Sequence, residues 1–435
     1  MAAIGTKVRE GIPNIMTSGP EIDEKYLYFE VDDGYSYVHR RGDRVTWLDY
    51  AGGMWLIAGH EELTSALKDD ENFSSAHELP NGSSPYGGVM MPPTPIRAVP
   101  IELDPPVYQE YRKLLSPRFS PASVRKLRPV VADFADWCLD QHIESGAMDL
   151  FNDYVKVVPA MTTLHLLGLP VNHARIIADA VHNRGDDRFQ VNPAWATMFE
   201  DTFAAIKQRR RDPQDDMISY LLAAEVDGKK LTDPQIYEIC FTIVIGGMST
   251  TAKLGLGSLS YLGVHVGERK RLIADPSLLP TAVEEFLRYY SPVAFLARTA
   301  VQDVCVAGQQ IAKGDRVGLG FAAANRDEAA FDEPNEICID RQPNRHLAFG
   351  HGIHFCVGSN LGRAEGAVMI ERVLARIPQY ALAGNNQALE DLNAAVPKRA
   401  RRAGWGSRVA RGLHVAFPPG QRVGAGGGLE FTALD

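Results

Sequence analysis

One ten-residue stretch combines a cysteine, two histidines and several glycines in a spacing that could bind a metal. It reads Phe349-Gly-His-Gly-Ile-His-Phe-Cys356-Val-Gly358, and an apolar-periodic helix follows it directly. A cysteine just before a helix N-terminus lies near free backbone N–H groups and the positive end of the helix dipole. Both stabilise a thiolate, which a metal-bound sulfur requires. We also expect Gly352 and Gly358 to let the backbone approach a flat ligand closely.

Two other interpretations of this stretch are open. Cys356 could be a buried structural cysteine in a turn, the usual place of a lone cysteine. Alternatively, His351, His354 and Cys356 could hold zinc. Tetrahedral zinc sites normally draw pairs of ligands from separated segments, however, and the sequence shows no second cluster.

The stretch resembles the cysteine loop FxxGxHxCxG of the cytochrome P450 superfamily and agrees with it at every defined position. The resemblance implies a haem b cofactor with Cys356 as the axial iron ligand. Phe349 would pack against the haem near the sulfur, and His354 would bind a haem propionate. A thiolate ligand donates electron density to the iron and favours cleavage of the O–O bond.

A second family feature lies upstream, where the heptapeptide AVEEFLR resembles the ExxR helix. Its Glu285 and Arg288 are one helical turn apart, a spacing that on an exposed face contributes only tenths of a kcal/mol. Its place before a β-like passage and the cysteine loop matches the family. Residues 340–349 resemble the meander that completes the Glu–Arg network, with Arg341 and His346 as candidates. We expect His346 to be the third member, and these residues to lock the cysteine loop.

Haem carries two propionates, so the protein must supply cationic or hydrogen-bonding partners. The segment Asp104–Arg112 resembles the family's helix in which a histidine and a later arginine face the propionates. Arg112 is present, whereas Tyr108 replaces the histidine and offers one hydrogen bond but no positive charge. Arg298 falls where the family has a further propionate-binding arginine. The resemblance therefore implies that Arg112, Tyr108, Arg298 and His354 hold the haem.

A long helix is predicted from its Thr232 cap to about Leu262, which at about 1.5 Å per residue spans about 45 Å. The uncharged stretch between Glu238 and Lys253 is too short for a membrane span, so we expect a buried central helix. The hexapeptide GGMSTT within it resembles the family's [AG]GxDTT signature, which places the helix over the haem.

In that signature, the paired glycines remove side chains where the helix passes the cofactor, with Gly247 in contact with it. The resemblance makes Thr250 the hydroxyl that hydrogen-bonds dioxygen. Ser249 replaces a carboxylate that normally helps to deliver protons, and a hydroxyl can relay a proton but cannot store one. Either another group completes the relay, or the enzyme loses reducing equivalents as peroxide. The alternative is that both hydroxyls bond back to their own helix.

The loop from Glu78 to Ile101 covers the substrate in the family, and its adaptable methionines suit an apolar ligand. We predict a terpenoid, a steroid or a similarly sized hydrophobic substrate. The alternative is that the residues in question simply fill the core. The predicted substrate contacts come from the loop, the central helix and the segment after the ExxR helix: Tyr86, Met90 and Met91; Ile243 and Gly246; Val293, Ala294 and Phe295.

Composition limits the class of protein. The chain has 435 residues, 45% of them hydrophobic, and a net charge of −9, which argues against nucleic acid or an anionic membrane surface as main partner. Its five cysteines are dispersed without a CxxC pair, so we expect a reducing compartment. The N-terminus lacks the apolar core of a signal peptide. We expect a cytoplasmic protein with no membrane span.

The predicted fold is mainly α with small β-sheets, the cytochrome P450 fold with haem between two long helices. The resemblance covers about residues 37–417, and we expect one domain over 1–435. The predicted parts are a β-rich region at about 20–100 with strands at 26–29, 44–48 and 55–58, helices over 104–262, a β-like passage over 293–340, a helix ending before Pro378, and a loose Gly-rich tail at about 419–435.

The resemblance implies a bacterial-type monooxygenase that inserts one oxygen atom from dioxygen into a C–H or C=C bond. The sequence has no flavin or iron–sulfur signature, so electrons should come from a ferredoxin-like or flavodoxin-like partner with its NAD(P)H reductase. A basic patch could dock such a partner, or could simply be a solvated face. A haem-binding sensor without turnover and a peroxide-driven oxidase remain alternatives. The patch consists of Lys113, Arg118, Arg125 and Lys126.

Overall fold

A computed structural model of the chain describes residues 42–48, 52–78, 87–91, 96–182, 193–382 and 412–424. The strand predicted at 26–29, the substrate contact predicted at Tyr86 and the end of the Gly-rich tail lie outside these residues. The single-domain organisation stays a prediction.

Helices dominate the described residues, as predicted. Most form over the segment where apolar residues recur every three or four positions, because that spacing gives one face to bury. They are α1 His60–Ala66, α2 Val107–Leu115, α3 Pro121–Asp140, α4 Val157–Leu167, α5 Ala174–His182, α6 Pro193–Arg209, α7 Met217–Ala223, α8 Asp233–Val264, α9 Val266–Ala274, α10 Leu279–Tyr290, α11 Phe321–Ala324 and α12 Ser359–Arg376.

The strands are short and form small sheets. The largest sheet has five strands in the order β1-β2-β10-β7-β3, in which only β2 and β10 pair in parallel. A second sheet orders β11-β12-β4, and two hairpins complete the set. The strands are β1 Val45–Leu48, β2 Met54–Ile57, β3 Phe73–Ser74, β4 Ala147–Asp149, β5 Glu225–Val226, β6 Lys229–Lys230, β7 Leu296–Ala300, β8 Val304–Val306, β9 Gln309–Ile311, β10 Arg316–Leu319, β11 Ala381–Leu382 and β12 His414–Ala416.

Helix α8 is the predicted central helix and runs for 32 residues. Thr232 and Gln235 form a reciprocal capping box at its start, which satisfies two backbone N–H groups that the helix itself leaves free. The helix packs against α4, α10 and α12. It is long and apolar enough to cross a membrane, but a core helix meets the same criteria, and 56% of its most apolar window is buried inside the structure.

The β-like passage is shorter than predicted. Its last strand, β10, ends at Leu319, and the short helix α11 and a series of turns follow before the cysteine loop. Acidic residues, proline and asparagine recur over 327–350, and they favour turns over strands. These turns bring the chain back to the N-terminus of α12, where Cys356 lies.

Candidate active site around Cys356

The cysteine loop is held at the start of α12. The backbone N–H of Cys356 donates to the carbonyl of Phe349 (2.9 Å), and Gly358 is the N-cap residue of the helix. A Cβ at Gly358 would lie 3.9 Å from the sulfur, so this glycine keeps the backbone open beside Sγ. Gly352 has another role than predicted: its φ of +70° is left-handed, and a Cβ there would collide with the carbonyl of Leu67.

The Cys356 thiol has opposing influences on its ionisation. Burial raises its pKa, whereas a backbone hydrogen bond from Gly358 and the charges of Arg112 and Arg363 lower it. Burial is the largest of these effects, and the hydrogen bond from Gly358 opposes it, in the direction expected for a cysteine at a helix N-terminus. The sulfur needs a positively charged partner to ionise, as a metal-bound sulfur has.

Helix α2 braces the cysteine loop from outside. The hydroxyl of Tyr108 donates to the carbonyl of Ile353 (2.6 Å), and Arg112 Nη1 donates to the carbonyl of Phe355 (2.5 Å). The Tyr108 and His354 rings lie 4.1 Å apart. A phenol has one proton, and here Ile353 receives it; the hydrogen bond from Tyr108 to a propionate stays a prediction.

Arg298 is a buried cation with spare donors. It is 5% exposed, and among the described residues its side chain donates to the carbonyl of Ala297 alone (2.9 Å). Burial lowers its pKa to about 10, although Asp104 opposes this shift. A guanidinium that remains charged with about four of its five N–H groups uncommitted favours an anionic ligand.

His354 lies in the same cluster. Its Nε2 is 2.9 Å from the hydroxyl of Ser75. Burial, together with the neighbouring charges of Arg298 and Arg112, lowers its pKa to about 3. In the protein alone, His354 is therefore a neutral hydrogen-bonding group between two cations.

These residues fit the haem that the cysteine loop implies. A sulfur with an open approach at Gly358 suits a soft metal-ligand bond. Arg298 and Arg112 both act electrostatically on His354, so the three side chains lie in one cluster whose two cations suit two carboxylates. The zinc alternative is not supported, because the described residues contain no group of three or more His, Cys, Asp or Glu side chains placed to hold a metal.

Phe349 lies beside the cysteine loop, as the resemblance implies. Its ring is 6.3 Å from that of Phe355 and 4.5 Å from the guanidinium of Arg363. The aromatic ring is therefore fixed on two sides next to the sulfur-bearing turn.

The central helix presents an open face at its middle. Gly246 is exposed although the helix is largely buried, and a Cβ there would meet nothing within 4 Å. Thr250 follows one turn later on the same face. Gly247, which we expected to touch the cofactor, packs elsewhere: a Cβ there would lie 3.0 Å from Oγ1 of Thr163 on α4. Neighbouring helical residues point about 100° apart, and only Gly246 faces the open side.

Both expected relay hydroxyls bond back to the helix. Ser249 Oγ donates to the carbonyl of Ile245 (3.2 Å), and Thr250 Oγ1 donates to that of Gly246 (2.6 Å). The alternative that these hydroxyls serve their own helix thus describes this structure, although a hydroxyl oxygen can still accept a hydrogen bond while it donates.

Glu285 is the centre of the predicted Glu–Arg network. Its side chain is fully buried and pairs with Arg288 at 2.7 and 2.8 Å. Arg341 Nε donates to both carboxylate oxygens (3.0 and 3.1 Å), and Asn344 Nδ2 donates to Oε2 (3.1 Å). The backbone N–H of Cys338 donates to Oε1 (2.9 Å). The third member of the network is therefore Arg341.

The expectation that His346 completes this network is wrong. Its Nε2 lies 3.0 Å from Oε2 of Glu284, the residue before Glu285. Arg363 donates to the same carboxylate (2.6 and 2.9 Å). Burial opposes ionisation of Glu284, but these two partners lower its pKa to about 2. His346 and Arg363 thus form a second anchor between α10, the cysteine loop and α12.

The expected substrate contacts lie on three segments that meet. The backbone N–H of Ala297 donates to the carbonyl of Val89 (2.8 Å), which ties the methionine loop to β7. Arg97 pairs with Glu238 at the start of the central helix (2.8 Å). Met91 and Phe295 are buried, whereas the other predicted contacts within the described residues are partly buried, except the exposed Gly246: Met90, Ile243, Val293 and Ala294.

Sequence reasoning missed one buried acid, Glu365 on α12. It is 2% exposed, and its Oε2 accepts a hydrogen bond from Thr251 (3.4 Å). A signal was present in the sequence: Glu365 interrupts the apolar stripe that includes Leu361 and Val368. A carboxyl on a buried stripe is costly and indicates a specific role.

Comparisons with known proteins agree with this geometry. The family model described as Cytochrome P450 matches residues 268–377. The steroid C26-monooxygenase of Mycobacterium tuberculosis is 31% identical over 385 residues, 86% of this chain and 94% of that protein. The vitamin D(3) 25-hydroxylase of Pseudonocardia autotrophica is 34% identical over 343 residues, 76% of this chain and 82% of that protein.

Solved structures share the fold. The hydroxylase HmtN of himastatin biosynthesis has a TM-score of 0.73 at 29% identity, covering 88% of this chain and 96% of that one. A cytochrome P450 of Chondromyces apiculatus has a TM-score of 0.75 at 26% identity, covering 94% and 99%. The predicted fold is thus confirmed. The chain therefore belongs to the cytochrome P450 family, and it is a monooxygenase whose cofactor is haem b bound through a cysteine thiolate.

Proposed function

We propose that this chain inserts one oxygen atom from dioxygen into a hydrophobic substrate of steroid or terpenoid size. Electrons come from a ferredoxin-like or flavodoxin-like partner with its NAD(P)H reductase, in the cytoplasm. The observation that carries the proposal is the position of Cys356, at a helix N-terminus beside the buried Arg298 and the partly buried Arg112 and His354.

Each side chain of the cluster has a separate part in holding the cofactor. Cys356 supplies the sulfur ligand, and Arg112 and Arg298 supply positive charge for the propionates. His354 adds a hydrogen bond, while Tyr108 positions the loop that carries the cysteine. Haem, when bound, supplies the activation of dioxygen.

The open face at the middle of α8 supports the proposal that a reaction chamber lies against this helix. Gly246 leaves space at the middle of the helix, and the hydroxyl of Thr250 lies on the same face. In this position Thr250 can hold a proton near the reacting oxygen atoms. The surrounding apolar residues would exclude water, which strengthens such hydrogen bonds.

The apolar residues expected to line the chamber support a hydrophobic substrate of steroid or terpenoid size. Met90, Met91, Val293 and Ala294 offer carbon and sulfur surfaces, and methionines adapt to irregular ligands. Two relatives are named for steroid and vitamin D(3) hydroxylation. These names point toward large hydrophobic ligands, which agrees with the sequence-based prediction.

The basic patch supports a protein electron donor. Arg125 and Lys126 are exposed on α3, whereas Lys113 pairs with Glu110 and Arg118 with Asp215. Positive charges that remain exposed attract an acidic partner toward the surface and increase the rate of association.

The carbon monoxide difference spectrum of the reduced, haem-loaded protein tests the ligand. A thiolate-ligated haem gives a characteristic red-shifted band, and Cys356→Ser should abolish it. The exposed thiol of Cys305 provides the control, because Cys305→Ser should keep the band. A normal band in Cys356→Ser would show that another group binds the iron.

Spin-state titration with a panel of steroids, terpenoids and charged peptides tests the substrate class. We expect responses to the hydrophobic ligands, and Ala294→Phe should weaken those of the largest ligands by narrowing the chamber. Ile273→Ala, on an exposed face, should change nothing. Responses confined to charged or peptide ligands would contradict the proposal. Product formation with a surrogate ferredoxin, its reductase and NADPH separates an oxygenase from a sensor, which would bind without turnover.

A further inference from the structure

Glu102 is a buried acid that holds two separate segments of the predicted substrate loop. Its side chain is 1% exposed. The backbone N–H of Val89 donates to Oε1 (2.9 Å) and that of Ala98 donates to Oε2 (2.8 Å), while Nδ1 of His77 lies 2.9 Å from Oε2. Two stretches of backbone that are distant in sequence are thus joined through one side chain.

A carboxyl group suits this place better than an amide would. A buried backbone N–H needs an acceptor, and each oxygen of Glu102 accepts one. Gly88 completes the fit, because its φ of +63° is left-handed and a Cβ there would collide with Oε1. The chain therefore turns closely around Glu102, and a change at either residue should displace the methionine segment, residues 87–91.

Arg316 extends this anchor to the sheet that carries Arg298. Its Nη2 donates to the carbonyl of Gly88 (2.8 Å), and its Nη1 donates to Oγ1 of Thr299 (2.6 Å). Burial lowers the pKa of Arg316 to about 10, and the charge of Glu102 opposes the shift. Because Arg298 and Thr299 are neighbours on β7, the methionine segment has a fixed position relative to the predicted propionate site.

The substrate loop is held more weakly on the side of the central helix. There Arg97 pairs with Glu238 (2.8 Å), but the two side chains are 39% and 22% exposed, and exposed ion pairs contribute little. A cavity of about 650 Å³ lies between this part of the loop and the start of α8, and Val107 and Tyr237 are among its lining residues. The loop thus has room to adapt at Arg97, whereas buried hydrogen bonds hold it at Glu102.

We propose that Glu102 is a positioning residue that determines which substrates this enzyme accepts. The inference rests on the proposed function, in which the methionine segment lines the chamber. Glu102 does not touch the substrate. It fixes the backbone of Val89 and thereby places Met90 and Met91 against the ligand. Ligands are then distinguished by size and shape, while the oxidation step itself does not depend on Glu102.

Amide hydrogen exchange of the haem-loaded protein, without substrate, tests the anchor directly. Glu102→Gln keeps the volume but replaces one acceptor by an amino donor. The amides of residues 87–91 and 96–98 should then exchange roughly tenfold faster, the effect of one lost buried hydrogen bond. Glu62→Gln is the matched control, because Glu62 pairs with Arg44 outside the loop and its replacement should leave these amides unchanged. Exchange at the wild-type rate in Glu102→Gln would overturn the proposal.

Specificity is measured by spin-state titration and by turnover with a surrogate ferredoxin, its reductase and NADPH. For the steroid or terpenoid that binds the wild type most tightly, Glu102→Gln should raise Kd and KM roughly tenfold and keep kcat near the wild-type value. The difference in Kd between large and small ligands should shrink, because Met90 and Met91 no longer keep one position. Glu62→Gln should keep all these values. A lower kcat with unchanged Kd, or an equal loss of affinity for every ligand, would contradict a role in positioning the loop.

A second variant guards against misfolding of Glu102→Gln. Gly88→Ala leaves every charge in place and pushes the methionine segment away from the carboxyl group, so it should reduce the discrimination by size in the same way. The thiolate band in the carbon monoxide spectrum shows whether each variant retains haem. Wild-type affinities in both variants, or loss of the band in both, would refute a role in specificity. A wild-type protein without the band would refute the proposed function instead, and hydrogen exchange would still report on the anchor at Glu102.

Discussion

Replacing Glu285 by glutamine should destabilise the protein more than almost any other single isosteric change. The substitution removes the carboxylate charge but keeps the side-chain volume, so packing is largely preserved. It leaves Arg288, which is fully buried, and Arg341, whose side chain is 11% exposed, without an anionic partner. Removing one member of a buried ion pair costs about 3–5 kcal/mol, because the remaining charge stays desolvated.

The same perturbation tests which residue completes the network. A double-mutant cycle between Glu285→Gln and Arg341→Met should give a coupling free energy of about 1–3 kcal/mol, since the two side chains share hydrogen bonds. The matched cycle with His346→Gln should give a coupling near zero, because His346 bonds to Glu284.

Urea unfolding of the haem-loaded protein, followed by far-ultraviolet circular dichroism, measures both quantities. The carbon monoxide spectrum of each variant shows whether the haem is retained. A loss below about 1 kcal/mol in Glu285→Gln would refute the reasoning from buried charge. A coupling of His346 as large as that of Arg341 would refute the assignment of the network.

Three further predictions concern protons and electron transfer. Thr250→Ala should increase peroxide release per NADPH, and Ser249→Asp should decrease it and raise product yield. A product yield per NADPH that stays at the wild-type value in both variants would show that this segment does not govern proton delivery. Because the folded-state pKa of Glu365 is raised from 4.5 to about 8, its contribution to stability is fully present below pH 4.5 and is lost as pH rises through 8. The free energy of unfolding should fall by at most about 5 kcal/mol over this pH range, and Glu365→Gln should remove this pH dependence in urea unfolding at a series of pH values. Charge reversal of Arg125 and Lys126 should slow reduction by a ferredoxin several-fold at low salt and little at high salt, whereas equal slowing at all salt concentrations would argue against electrostatic docking.

The sequence predicted the parts of the site that depend on local pattern. The cysteine loop has a fixed spacing, and the central helix has a capping box at Thr232 and a long apolar run. Each of these is a property of consecutive residues, so no tertiary information was needed. The predicted strands at 44–48 and 55–58 likewise correspond to β1 and β2, with bounds that differ by one residue.

The predictions that were wrong concern the directions in which side chains point. Glu284 and Glu285 are neighbours on α10, so their carboxylates point about 100° apart and meet different partners. The pattern EExxR does not reveal which of Arg341 and His346 each one meets. The longer arginine, with its planar fork of donors, reaches the fully buried carboxylate. His346 meets the half-buried one.

The two glycines of the central helix are a second case in which the sequence does not reveal the direction that a residue faces. Helix α8 is apolar on nearly all sides, since it packs against several other helices, and its sequence has no polar face that would fix its rotation. Gly246 and Gly247 are therefore equivalent by pattern. Only the packing of α4, which places Thr163 against Gly247, decides that Gly246 faces the open side.

Ser249 and Glu365 are best understood together. A serine at position 249 removes the acid from the central helix, and the structure buries a carboxyl against Thr251 of the same helix, whose hydroxyl donates to it. Burying that carboxyl would be a net cost if it served packing alone, because leucine or methionine would fill the same stripe on α12 without desolvating a polar group. A hydroxyl at Thr251 faces it, and Thr250 lies next in the chain. The carboxylate oxygen accepts the Thr251 hydroxyl proton, so part of the cost of burial is offset by a hydrogen bond that a hydrophobic residue at position 365 could not make.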